Sequence, residues 1–184
     1  MKTQKQYKPK IIGAICNAVL LLLLLSIFGC SERVEGNYVK KDAGIDIYCP
    51  DKVTDIEGNQ YATVRIGDQC WMAENLNVGI QVDGADEHTN NEVIEKYVYN
   101  NDPDMGAKYG GLYQWDELMD YSDEENSQGI CPAGWKIPSD KDWQKLEVAL
   151  GMNVAEATLY EWRGDQGEQL LTEGSSGFAA LLGG

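Results

Sequence analysis

A chain of 184 residues with 30 acidic against 15 basic side chains carries a formal net charge of −15. That balance argues against a nucleic-acid partner, whose affinity rests on basic groups neutralising phosphates, and against a face lying flat on anionic lipid. It fits a solvated, self-repelling exterior, or one that meets divalent cations.

Residues 1–29 read as a leader and not as fold. Lys2, Lys5, Lys8 and Lys10 make a basic head without acidic residues, and residues 11–29 are apolar apart from Asn17 and Ser26. A basic segment, an apolar segment and a small residue at the end describe a secretory signal, and Cys30 directly after Gly29 describes its lipoprotein form. In that form Cys30 is the lipidation site and the new N-terminus, which gives the chain a membrane partner and a cell-envelope location, with outer-membrane sorting compatible with Ser31. The competing reading is an uncleaved span, since 19 residues at roughly 1.5 Å each approach the thickness of a bilayer core. Without the leader, 11 basic residues face 30 acidic ones, a net charge of −19.

Residues 30–51 are polar and glycine-punctuated and are expected to be a tether, with residues 45–48 a candidate strand. The domain is expected over 52–184. Cys49, Cys70 and Cys131 remain in an oxidising compartment. Cys70 and Cys131 each lie beside a tryptophan or a strand-like run and form the preferred pair, with Cys49–Cys131 the alternative and one thiol left over. No Cys-x-x-Cys points to redox chemistry.

From residue 52 the pattern is an antiparallel meander. Residues 53–56 and 60–66 flank a turn in which Gly58 is free to take positive φ, and residues 69–72 return after Gly67-Asp68. Residues 77–108 form a long polar loop, a length usually tied to function or disorder. It holds the single histidine, His88, expected to be solvated; the carboxylate groups Asp83/Asp86/Glu87 and Asp102/Asp104; and Tyr97 and Tyr99. Oxygen ligands suit calcium, but neither carboxylate group has EF-hand spacing, so no cofactor is expected and calcium stays the only candidate. Residues 110–119 read as a helix with Leu112, Trp115, Leu118 and Met119 on its buried stripe. Acidic residues 120–126 lead to Cys131.

The stretch Cys131-Pro-Ala-Gly-Trp-Lys-Ile-Pro-Ser139 obeys every local rule. Trp135 and Ile137 alternate with Lys136 as in a half-buried strand, and Pro138 ends it. Ser139 caps a helix whose first turn holds Asp140 and Asp142, and Trp143, Leu146, Ala149 and Leu150 make its apolar stripe. Gly151 is a natural stop. Residues 154–162 read as a further short helix, and residues 176–182 as the start of a strand.

Three blocks together resemble the Fibrobacter succinogenes major paralogous domain of secreted and lipid-anchored proteins. They are Val53-Thr-Asp-Ile-Glu-Gly-Asn-Gln-Tyr61 leading to Ile66-Gly-Asp-Gln-Cys-Trp-Met-Ala-Glu-Asn-Leu76, then Gly111-Leu-Tyr-Gln-Trp115, then residues 131–139 through Trp143. The resemblance implies a C-type lectin-like α+β fold, two helices packed on a small antiparallel sheet with long loops. Similar domains continue past residues 177–182 with further strands, so the resemblance also implies a domain incomplete at its C-terminus. Calcium motifs of sugar-binding lectin-like proteins and the cysteine pair of formylglycine-generating enzymes lie late in such folds, and neither has a counterpart here.

The expected function is a non-catalytic, lipid-anchored envelope protein that binds a glycan or protein ligand. Candidate binding residues are Tyr97, Tyr99, Asp102 and Asp104. Trp115 is also a candidate for stacking, against a favoured role in the core. The alternative is a structural subunit of a surface or pilus-like assembly. An enzyme is least expected, because no Ser-His-Asp set or acid/base carboxylate pair is recognisable.

Overall fold

The computed structural model describes residues 30–32, 38–41, 44–160 and 162–181. The leader read at 1–29 lies outside them. Among the described residues no helix is long and apolar enough to cross a membrane.

The meander forms as its pattern requires. Strands β4 (Lys52–Thr54), β5 (Gln60–Ile66) and β6 (Gln69–Met72) pair antiparallel, with Val53 opposite Tyr61 and Val64 opposite Trp71. Asp55 builds the first turn: its carboxylate accepts from the Glu57 and Asn59 amides at 2.9 Å each and from the Tyr61 hydroxyl at 2.6 Å. Burial pushes the Asp55 carboxyl up, but the bonds from Tyr61 and Asn59 outweigh it and hold the group below the usual carboxylate range.

Two short strands complete a sheet of order β4-β5-β6-β1-β9: β1 (Ser31–Glu32) and β9 (Trp135–Lys136). The tether expected over 30–51 therefore fails at its start. Ser31 sits between Trp71 and Lys136, antiparallel to both, and Met72 N–H donates to the Cys30 carbonyl at 3.2 Å. Further on, β2 (Tyr38–Lys41) and β3 (Gly44–Ile47) pair as a hairpin, matching the strand expected near 45–48. Strands β7 (Ile80–Gln81) and β8 (Glu95–Lys96) form a parallel pair.

The insertion of β1 corrects the disulfide expectation. It separates β6, which carries Cys70, from β9, which follows Cys131. Cys131 is bonded to Cys30 with Cα atoms 5.7 Å apart, and Cys70 to Cys49 at 5.5 Å. Both separations lie in the ordinary range for disulfides.

The period of two distributes β5 and β6 over two cores. Tyr61, Cys70 and Met72 join Leu76, Val78, Leu118, Ile130, Trp135 and Ile137. Val64, Ile66 and Trp71 join Leu146, Phe178 and Ala180, with Trp71 4.8 Å from Trp143 and 5.8 Å from Phe178.

The helices are α1 (Pro103–Tyr109), α2 (Trp115–Leu118), α3 (Asp140–Ala149), α4 (Val154–Ala157) and α5 (Gly167–Leu170). Helix α3 is the predicted one: Ser139 and Asp142 form a reciprocal capping box, and the chain leaves through Gly151 at φ +104. The helix expected over 110–119 is reduced to the single turn α2. Gly110, at φ +79, passes so close to Asn75 and Leu76 that a Cβ there would lie 2.8 Å from the Leu76 carbonyl, and Gly111 N–H donates to that carbonyl at 2.8 Å. Helix α1 takes shape inside the expected loop, where Asp102 caps it and Pro103 occupies its first position. The expected 154–162 helix stops after α4. In place of the strand expected over 176–182, Ala180 makes a single parallel bridge to Leu171. The architecture is α+β with a small antiparallel sheet, as anticipated.

Candidate functional site

A cleft of about 530 Å³ opens between α2, the segment 119–126 and residues 137–140. Its walls carry Trp115 and the carboxylates Asp116, Asp123, Glu124, Glu125 and Asp140, and no Lys or Arg.

Trp115 is the first residue of α2, where a helical side chain leans back towards the N-terminus and outside the turn. Leu118, three residues on, is buried in the core and fixes the turn, while Trp115 stays 55 % exposed. The core position expected for Trp115 is thus corrected. Asp120 and Tyr121, at φ 51° and 54°, reverse the chain after α2. Ile130 N–H donates to Leu118 O at 3.1 Å and Ile137 N–H to Ser127 O at 3.1 Å, tying the acidic segment against α2 and the residues after β9. Gly129 is required there, since a Cβ would come 2.1 Å from the Leu118 carbonyl.

Behind the cleft, buried Lys136 pairs with Asp142 and also donates to Asn126 at 2.9 Å. Burial raises the Asp142 carboxyl, but hydrogen bonds from Lys136 and Ser139 prevail and hold it below its ordinary value. Lys136 is consumed by that pair, and every charged side chain of the cleft lining is acidic. Glu117 points the other way, buried, accepting from Glu95 N–H and from the Tyr121 hydroxyl at 2.9 Å each. Burial and then Glu117 push Tyr121 up to about 12.

Chemically, this lining offers an aromatic face and many acceptors. The Ser139 hydroxyl is committed to Asp142 at 2.6 Å, and Ser122 accepts from Glu124 N–H at 3.2 Å.

The loop at 77–108 is more structured than its composition suggests. His88, expected in solvent, is buried and stacked on Tyr97 with ring centroids 4.1 Å apart. Burial lowers its basicity against the opposing pull of Glu117 and Glu95. That stack covers one face of Tyr97, whose hydroxyl donates to Asp86 O. Tyr99 remains exposed in a short 3₁₀ turn. Asp102 accepts from Asp104 N–H at 3.0 Å, and Asp83 from Ala85 N–H at 2.9 Å, so both act within local turns. Among the described residues, no three His, Cys, Asp or Glu side chains converge as a metal site. The candidate residues of 83–104 do not line the cleft. The acidic run at 120–126 beside Trp115 was the sequence signal for it.

A profile of the Fibrobacter succinogenes major domain matches residues 64–184, from within β5 across the cleft and α3, and the chain belongs to that family. No curated protein and no solved structure matches it.

Proposed function

We propose that the chain is a non-catalytic cell-envelope binding protein whose domain, C-type lectin-like in architecture, takes up a glycan at Trp115. The observation that carries this reading is the exposed indole set among carboxylates in a cleft of about 530 Å³, within the size range of small-ligand pockets. The C–H face of a sugar ring packs on an indole, and carboxylates accept from its hydroxyls. The lectin-like architecture is supported by a capped helix packed on a small antiparallel sheet closed by two disulfides. An envelope location is supported by those disulfides and by the leader-like residues 1–29.

The test is a glycan array, then titration calorimetry of each hit with wild type and Trp115→Ala. Binding that weakens about tenfold in Trp115→Ala, as loss of an aromatic contact implies, upholds the reading. No binding with or without calcium, or equal binding by both proteins, overturns it. A second reading, a subunit of a surface assembly, is favoured by exposed Val154, Leu159, Tyr160 and Trp162 beyond α3. Co-purification of fixed partners that Trp162→Asp releases distinguishes it.

A further inference from the structure

We infer that Cys30 is a structural crosslink of the folded domain, closed on Cys131, and not the attachment point of a lipid. The inference rests on the envelope location proposed above but not on the glycan reading, and three observations carry it.

The sulfur is already used. Cys30 Sγ is bonded to Cys131 across 101 residues of sequence, with an ordinary Cα separation of 5.7 Å. A thioether to diacylglycerol and a disulfide each take the one bond this sulfur has to give.

The position is equally committed. Cys30 has no exposed surface, and Ser31 is buried and paired on both sides within the sheet. An acylated residue has to lie at the bilayer surface with its chains in hydrocarbon. Reaching it would withdraw β1 from between β6 and β9 and detach β9 from the rest of the sheet.

The thiol count agrees. Cys49 is joined to Cys70, so among the described residues Cys131 has Cys30 as its remaining partner. Acylating Cys30 would strand a buried thiol at Cys131 in an oxidising compartment, whereas pairing leaves all four of these cysteines in disulfides. Closure converts two thiols to one disulfide. The two electrons and two protons pass to an envelope thiol–disulfide oxidoreductase by exchange through a mixed disulfide.

The test uses the full chain, leader included, expressed in a Gram-negative host that processes lipoproteins and is fed an alkyne fatty acid. Free thiols are alkylated, and peptides are mapped without reduction. The expected result is a Cys30–Cys131 linked peptide that disappears on reduction, with no fatty-acid label on Cys30. A labelled Cys30 together with an alkylated Cys131 overturns the inference. In a second arm, Cys131→Ser should lower Tm by roughly 10 °C or more, as expected for losing a crosslink over so long a loop, and make Cys30 alkylatable. An unchanged Tm overturns it. Should that variant not fold, the wild-type peptide map still decides.

Discussion

The chain contains the same local pattern twice, a tryptophan followed three residues later by a leucine: Trp143 with Leu146, and Trp115 with Leu118. Both leucines are buried. Trp143 lies a full turn inside α3, a ten-residue helix held by a capping box, and its ring packs against Trp71 and Phe178. Trp115 opens a four-residue turn, and its ring faces the acidic cleft. Spacing tells which residues share a face. It does not tell whether anything covers that face. Only the length of the element and the chain packed against it decide, so one tryptophan, half-buried, packs against the core and the other became a candidate contact.

The largest test of this contrast is truncation on either side. Trp71→Ala, in the packed cluster, should cost about 3–5 kcal/mol, while Trp115→Ala, which loses only the covered part of its ring, should cost about 1 kcal/mol. Chemical denaturation of both variants measures this, and equal losses would return Trp115 to the core.

Next comes the support behind the two tryptophans. Asp142→Asn leaves buried Lys136 without its counter-charge and should cost on the order of 3 kcal/mol, against about 1 kcal/mol for Ser139→Ala, which removes only the cap. Because the folded Asp142 carboxyl is held below its ordinary value, the unfolded chain takes up its proton first. The stability it contributes is present above about pH 4 and is lost as pH falls through the folded value. Urea denaturation between pH 3 and 6 should therefore show a steeper acid loss in wild type than in Asp142→Asn.

The loop offers a smaller effect of the opposite chemistry. Buried His88 is held neutral, so the unfolded imidazole protonates first and stability declines as pH drops below about 6.5. His88→Phe keeps a ring on Tyr97 and should flatten that decline between pH 7.5 and 5.5. Parallel curves for the two proteins would mean that His88 is solvated after all.

Smallest of all is the metal. Asp83 and Asp102 already accept backbone amides, so adding calcium or EDTA should leave Tm unchanged. A calcium-dependent rise would place a binding site among the carboxylates of 83–104 or those of the cleft.

The sequence by itself determined the meander at 52–72, the α3 helix with its cap and stop, and the α+β class. Each follows from interactions within a few residues: alternation, the Asp55 turn, the Ser139–Asp142 box. It also carried the family resemblance, which the match over 64–184 bears out. The tertiary structure alone decided what depends on distant neighbours. Gly110 and Gly111 were drawn against Leu76 and cut the predicted helix to one turn, and His88 was buried by a residue nine positions away. Above all, β1 entered the sheet between β6 and β9, and that placement chose which cysteines could meet. No local pattern at 30–32 announces it, because the pairing partners lie about 40 and 105 residues further along the chain, where side-chain periodicity has no reach.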